Sequence, residues 1–196
     1  DDTNLYILLT ANMREHFRAP TMQRALSSDN NFEVFLFPNV SKGIYYQIRI
    51  SQGGEFYTGK SENNVGGAAG KRMKCELPGI QYSIKSDYYY WRAMITVPLA
   101  SLSLKAPEEG DKEEILFNIC RQNIDIPAKE PEASSFAVLD RLNYHQPSTW
   151  RKAALDRTPV EKGTTHYSQS ETAQVNLIPN SGFDLAKNGR LAGWYY

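Results

Sequence analysis

The sequence predicts an all-β protein, an antiparallel β-sandwich of the jelly-roll or immunoglobulin-like kind with few short helices. Short runs of alternating apolar and polar residues recur along the chain, and Gly, Pro and Asn turns separate them at fairly regular spacing. The 196 residues also include 12 Tyr, 8 Phe and 3 Trp, which suit a pleated, half-buried surface. Length and composition therefore favour one sizeable β-sheet core.

Strand-like segments account for most of the chain. The clearest is Tyr88–Leu99, because alternate residues from Tyr89 to Val97 are mostly apolar. Residues 58–72 are polar and Gly-rich and are predicted to form a surface loop, and Thr21–Leu26 is the one short helical segment. The other predicted strands, in chain order, are Leu5–Leu9, Phe32–Phe37, Gly43–Ser51, Glu55–Tyr57, Lys74–Ile84 with an interruption at Pro78-Gly79, Ile115–Asn123 and Ser134–Leu142.

Charge and hydropathy exclude two classes of partner. The 22 Lys and Arg residues balance the 22 Asp and Glu residues, so the chain has no net charge. A neutral chain has no long-range attraction for nucleic acid, which makes nucleic acid an unexpected partner. No run of 18 apolar residues is present, so we expect no membrane insertion. The two cysteines, Cys75 and Cys120, are interpreted either as small buried hydrophobic residues or as a disulfide, and their spacing does not decide between the two.

Seven short motifs occur in a fixed order along residues 1–155. Each is weak alone, and the ordered set is much more specific. They are an acidic pair before the first strand (Asp1-Asp2 to Ile7), Asp29 to Phe35 with Glu33, Tyr45-Tyr46-Gln47 with Gly53, Trp91 to Val97-Pro98, Asn118-Ile119-Cys120-Arg121, Ser134-Ser135-Phe136, and His145-Gln146-Pro147 with Trp150. In this order the segments resemble the family 9 carbohydrate-binding modules.

The resemblance implies a β-sandwich that binds a poly- or oligosaccharide, often with calcium as a structural ion. Members of the family usually sit in secreted bacterial proteins beside catalytic domains. We therefore expect an extracellular or periplasmic location and tethering to other domains. Departures from the family pattern are Met94, where a Glu is usual, and the absence of an aromatic residue from 58–73.

The chain is predicted to divide at about residue 160. Residues 1–160 form the sandwich, and 161–196 form a linker and a C-terminal segment. Val175 to Trp194 resembles the opening strand of another jelly-roll carbohydrate-binding type. This segment is either the start of a following module or a strand packed on the first sandwich.

Candidate ligand contacts come from three strands and one motif. Arg121 offers a planar fork of donors for sugar hydroxyls, and the alternative role is an ion pair with Glu33. Asn118 lies on the opposite side of the strand from Arg121 by parity, so one of the two is expected to be structural. The remaining candidates are Glu33, Phe136 as one aromatic wall of the sugar site, and Tyr88, Tyr90 and Arg92 as a platform on one face of their strand.

Three aspartates are the candidate metal ligands. Asp1, Asp2 and Asp29 could contribute oxygens to calcium, which takes six to eight hard ligands. The alternative is that these acidic turns are only solvated.

The predicted function is sugar binding without catalysis. Hydrolysis of a glycosidic bond needs two facing carboxylates, and the acidic pairs at 108–109 and 113–114 are predicted to lie in a solvated loop. The first alternative is a structural or interaction sandwich that has lost its sugar site. The second is a glycoside hydrolase or lyase on a jelly-roll scaffold.

Overall fold

The computed structural model describes residues 3–12, 26, 29–63, 70–86, 90–105, 112–124, 132–140 and 143–156. These residues form ten β-strands and three short 3-10 turns, and no α-helix occurs among them. The strands are β1 (Asn4–Asn12), β2 (Asn31–Asn39), β3 (Ile44–Ser51), β4 (Phe56–Glu62), β5 (Lys71–Lys74), β6 (Gln81–Ser86), β7 (Tyr90–Pro98), β8 (Lys112–Asn123), β9 (Glu132–Ser135) and β10 (Arg151–Asp156). The 3-10 turns are Val40–Lys42, Leu99–Leu102 and Pro147–Thr149.

The strands form two antiparallel sheets that pack face to face. The smaller sheet has the order β1-β7-β6, and the larger has the order β10-β8-β2-β3-β4-β5, with β9 also paired to β8. This is the antiparallel β-sandwich that the sequence predicts. We call the side of the larger sheet that packs on the smaller one its inner face, and the opposite side its outer face.

The main core lies between the two sheets. Strand β7 alternates strictly, so Trp91, Ala93, Ile95 and Val97 are buried while their neighbours are not. Trp91 is fully buried and packs on Phe32 of β2, with 4.8 Å between ring centroids. The alternation of β7 that the sequence predicts is therefore confirmed, and it sets which side of the smaller sheet faces solvent.

A second apolar cluster covers part of the outer face. Phe35, Phe37 and Tyr45 project from β2 and β3 toward the segment after β9, where Trp150 closes over them. This explains why β2 is buried on both faces along eight residues. The cluster occupies the side of the outer face near β8, so the open part of that face lies over β3, β4 and β5.

Some predicted boundaries are wrong. Strand β4 continues through Thr58 to Glu62, where a loop was expected because these residues are polar and show no apolar alternation. Strand β9 ends at Ser135, although Ser134–Leu142 was predicted as a strand. Strand β10 was not predicted, because its sequence RKAALD has little β-branched or aromatic character.

The two cysteines do not pair. Cys75 is half-buried and Cys120 is fully buried, and both are free thiols. Burial raises the pKa of both thiols, well above the usual range for Cys120, so Cys120 is an inert packing residue. No helix in the described part of the chain is long and apolar enough to cross a membrane.

Candidate functional site

A group of polar side chains occupies the open part of the outer face. Cross-strand register places Glu33 of β2 opposite Arg49 of β3, and Arg49 opposite Tyr57 of β4. Gln47 lies two residues from Arg49 on the same side of β3. We call Glu33, Gln47, Arg49 and Tyr57 the outer-face cluster.

Glu33 is the most buried member, with 6% of its surface exposed. Its Oε1 lies 3.2 Å from Nε of Arg49, in an ion pair whose N–H is not aligned as a hydrogen bond, and its Oε2 accepts a 2.6 Å hydrogen bond from Nε2 of Gln47. Burial raises the pKa of the Glu33 carboxyl, and the Arg49 charge and the Gln47 hydrogen bond lower it by less. A carboxylate is thus kept in a place where burial disfavours its charge, which is typical of a functional position.

Tyr57 supplies an aromatic surface on the other side of Arg49 from this carboxylate. Its ring lies across Gly59, because a Cβ added at Gly59 would come within 2.9 Å of Cε1 and Cζ of the ring and would meet its hydroxyl as well. The absence of a side chain at Gly59 therefore lets the ring lie low over β4. Aromatic faces carry partial negative charge and attract the C–H groups of a sugar ring.

His145 and Tyr45 border the cluster. Nδ1 of His145 lies 2.7 Å from the hydroxyl of Tyr45, and its ring stacks edge-on against Phe35 at 5.0 Å. Burial lowers the pKa of His145 to about 4, assisted by the positive charges of Arg72 and Arg49. His145 is therefore neutral at pH 7, and its imidazole borders the cluster as an uncharged ring held by Tyr45 and Phe35.

Two of the predicted ligand residues lie on the inner face. Arg121 is opposite Phe32 and Ser134 in register and is largely buried, with 7% exposed. Phe136 stacks on Phe117 at a centroid distance of 5.4 Å and packs against the main core. Arg121 and Glu33 point to opposite faces of the sheet, and Glu33 forms its ion pair with Arg49.

Asn118 is on the outer face but is fully buried beneath the segment after β9. Its Oδ1 accepts hydrogen bonds from the amide of Ala137 at 2.9 Å and the hydroxyl of Ser135 at 3.1 Å. Its Nδ2 lies 2.9 Å from Oγ of Ser135 and 3.3 Å from Sγ of Cys120. These bonds hold β9 and its continuation against β8, which is a structural role.

Tyr90 and Arg92 lie on the exposed side of the smaller sheet. The guanidinium carbon of Arg92 is 5.7 Å from the centroid of the Tyr90 ring, within range of a cation–π contact. This side is separated from the outer-face cluster by both sheets. Tyr88 lies outside the described residues.

The candidate metal ligands are only partly described. Asp29 is buried. Its two carboxylate oxygens accept hydrogen bonds from the backbone amides of Asn30, at 2.9 Å, and Gly53, at 2.7 Å. These bonds connect the turn between β3 and β4 to the start of β2. Within the described ranges, no group of three or more His, Cys, Asp or Glu could hold a metal ion. Asp1 and Asp2 lie outside those ranges, so calcium binding stays a prediction.

Sequence reasoning identified Glu33 but not its partners. The alternation of β3 placed Gln47 and Arg49 on one side of the strand, and that polar side was the available signal. Tyr57 lies in the predicted strand Glu55–Tyr57 but was not proposed as a ligand residue, because its position opposite Arg49 depends on the cross-strand register.

The outer-face cluster combines hydrogen-bond donors, acceptors and an aromatic surface, which are the groups that recognise a polyhydroxylated ring. Carboxylate and carboxamide oxygens accept from hydroxyl groups, and guanidinium and amide nitrogens donate to them. A planar aromatic ring beside these groups covers the apolar side of a sugar. The combination of one buried carboxylate, one arginine, one glutamine and one low-lying tyrosine ring is therefore suited to holding a sugar in a fixed orientation.

Comparisons with known proteins give structural neighbours only. No protein-family model and no curated protein sequence matches the chain. A candidate carbohydrate-binding protein from Bacteroides uniformis ATCC 8492 matches over 78% of this chain and 73% of its own, with a TM-score of 0.53 and 12% identity.

Two structures of a family 9 carbohydrate-binding module from Caldicellulosiruptor kristjanssonii also match. The glucose complex has a TM-score of 0.52 and 13% identity and covers 78% of this chain and 70% of its own. The cellotriose complex has a TM-score of 0.50 and 15% identity and covers 80% and 71%. The chain therefore has a β-sandwich fold like that of the family 9 carbohydrate-binding modules.

Proposed function

We propose that this protein is a non-catalytic carbohydrate-binding module that holds a sugar against the outer-face cluster. The observation that carries the proposal is the environment of Glu33. Its carboxyl group is nearly excluded from water, yet it is held by Arg49 and Gln47, and Arg49 in turn lies opposite Tyr57. A buried ion pair adds little to stability, so a ligand contact is the simpler reason for the arrangement.

The chemistry of the cluster supports binding rather than hydrolysis. The cluster contains one carboxylate, whereas glycoside hydrolysis usually employs two, one as acid and one as base or nucleophile. Structural neighbours with this fold hold glucose and cellotriose, which supports a sugar as the ligand class.

The setting of the protein belongs to the same proposal. We expect a bacterial protein, which the bacterial sources of the structural neighbours support. We also expect that it is exported and that this module is tethered to other domains, as the family resemblance implies. We also keep structural calcium within the proposal. It is testable by comparing the unfolding temperature in calcium and in a chelator.

Isothermal titration against a panel of soluble glycans tests the function. The purified chain should release heat with at least one glycan, and Glu33→Gln should weaken that binding about tenfold or more, as expected for loss of a hydrogen bond to a charged group. Arg92→Gln is the matched control, because it removes a polar side chain from the far side of the sandwich. Absence of heat with every glycan would overturn the proposal.

One observation favours a second function, that of an interaction domain. The exposed side of the smaller sheet carries Tyr6 and Leu8, which are 52% and 58% exposed, together with Met94 and Tyr90. Cross-strand register places Leu8 opposite Met94, so these side chains are contiguous. Exposed apolar patches are typical of protein contacts. Concentration-dependent association that Leu8→Lys abolishes would support this function.

A further inference from the structure

The charge on the outer face is not balanced. On this face of β2 to β5, the register places three cationic side chains, Arg49, Arg72 and Lys74, and one carboxylate, Glu33. Glu33 is already held by Arg49. Among the described residues, no carboxylate lies within ion-pair distance of Arg72 or Lys74.

The opposite face of the same strands differs. There Lys60 of β4 pairs with Glu62 at 2.6 Å, and Lys71 lies opposite Glu62 in register. One acidic residue, Glu62, thus accompanies the two lysines on that face. The chain as a whole has no net charge, so the surplus of positive charge on the outer face is a local feature.

The surplus lies beside the outer-face cluster rather than at a distance from it. Lys74 is opposite Gly59, over which the Tyr57 ring lies, and Arg72 is opposite Ser61. Neighbouring strands are about 4.8 Å apart, and residues two apart along a strand are about 7 Å apart. Long Arg and Lys side chains reach across such distances, so both can approach a ring seated between Gln47 and Tyr57.

Two other groups on this face respond to the same positive charge. The charge of Arg72 lowers the pKa of His145, in addition to the effect of burial, and it opposes the raising of the Tyr45 pKa by burial. Tyr45 lies opposite Ser61 in register, and its hydroxyl contacts Nδ1 of His145. The register of β5 with β4 places the Arg72 side chain on this same face.

We propose that the ligand of the outer-face cluster is an anionic sugar, whose carboxylate or sulfate ester is held by Arg72 and Lys74. This inference depends on the proposed sugar binding and adds the class of sugar. Glu33, Gln47 and Arg49 contact the hydroxyl groups, the Tyr57 ring supports the sugar ring, and the anionic substituent extends toward β5. A guanidinium and an ammonium on adjacent positions of one strand face hold a carboxylate or a sulfate equally well, because both supply charged N–H donors.

Matched pairs of sugars test the inference. The chain is titrated with glucose, glucuronate and glucose 6-sulfate, and with the corresponding galactose and mannose compounds, at low and at high salt. In at least one set, the anionic sugar should bind about five to ten times more tightly than the neutral one at low salt, and salt should reduce the difference. The carboxylate and sulfate arms show which anion is preferred.

Charge-removing variants locate the preference. Arg72→Gln with Lys74→Gln should bring the anionic sugar to the affinity of the neutral one. The control is Lys71→Gln, which removes one charge from the same strand but on the opposite face, and it should leave the preference unchanged. Neutral sugars that bind as tightly as anionic ones in every set would overturn the inference and leave the proposed function standing. No binding of any sugar would overturn both.

Discussion

Oε1 of Glu33 lies 3.2 Å from Nε of Arg49 on the neighbouring strand, on the side of the larger sheet that faces away from the main core. The pair is held where the apolar cluster of the outer face ends and the polar one begins. Burial raises the pKa of the Glu33 carboxyl despite the nearby cation, so folding disfavours its ionised form relative to the unfolded chain.

Replacing Glu33 by Gln should therefore separate stability from binding. A carboxyl whose pKa is raised on folding contributes stability below its unfolded pKa and loses it as the pH rises through the folded pKa. Burial disfavours the ionised form of this carboxyl, so Glu33→Gln should unfold at pH 7 at the same temperature as the wild type or higher, while sugar affinity falls. Thermal unfolding at pH 4 and pH 7 measures the first effect. A lower unfolding temperature of the variant at pH 7 would show that the ion pair is there for stability.

Gly59→Ala should weaken sugar binding without removing any contacting group. A Cβ at this position would displace the ring of Tyr57, which now lies across Gly59. In a Tyr57→Ala background, Gly59→Ala should have little further effect, because no ring remains to be displaced. The interaction energy from this double-mutant cycle is measured by titration calorimetry. Equal effects of Gly59→Ala in both backgrounds would contradict the role given to the ring.

The pH dependence of stability should show the titration of His145. Burial and the charges of Arg72 and Arg49 lower the pKa of His145 to about 4, below the unfolded value of about 6.5. Between pH 4 and pH 6.5, His145 is protonated in the unfolded state but neutral in the folded state. His145 therefore contributes stability above pH 6.5, and this contribution is lost as the pH falls toward 4. NMR titration of the imidazole should give a midpoint near 4. Arg72→Gln should raise that midpoint, and an unchanged midpoint would show that Arg72 does not face His145.

Phe136→Ala should affect stability and not affinity. The ring stacks on Phe117 and packs against the main core on the inner face. Because it is only half-buried, its truncation should cost about 2 kcal/mol, less than for a fully buried ring. Denaturant unfolding measures this loss. A large drop in sugar affinity, with stability unchanged, would return Phe136 to the role of a sugar-site wall.

The sequence predicted the sandwich well because period-2 patterns are strong where one face of a strand is buried. Strand β7 illustrates this, with Trp91 to Val97 buried at every second position. The same logic failed at residues 58–62 of β4, which include no apolar side chain and therefore show no period-2 pattern. It failed again at β10, whose alanines give no strand preference.

The site was harder to predict than the fold. Glu33 was identified through its motif, but its partners depend on which strands are neighbours, and cross-strand register is not visible in one sequence. Arg121 illustrates the limit. Its strand was correctly predicted, but whether its side chain points to the inner or the outer face depends on which side β7 covers.

The position of the sugar on the sandwich is measured most directly by a ¹H–¹⁵N NMR titration with the glycan that binds best in calorimetry. Binding at the outer-face cluster predicts that the largest shifts fall on the amides of Gln47, Arg49, Tyr57 and Gly59. Shifts centred instead on Tyr90 and Arg92, or on Arg121 and Phe136, would contradict it.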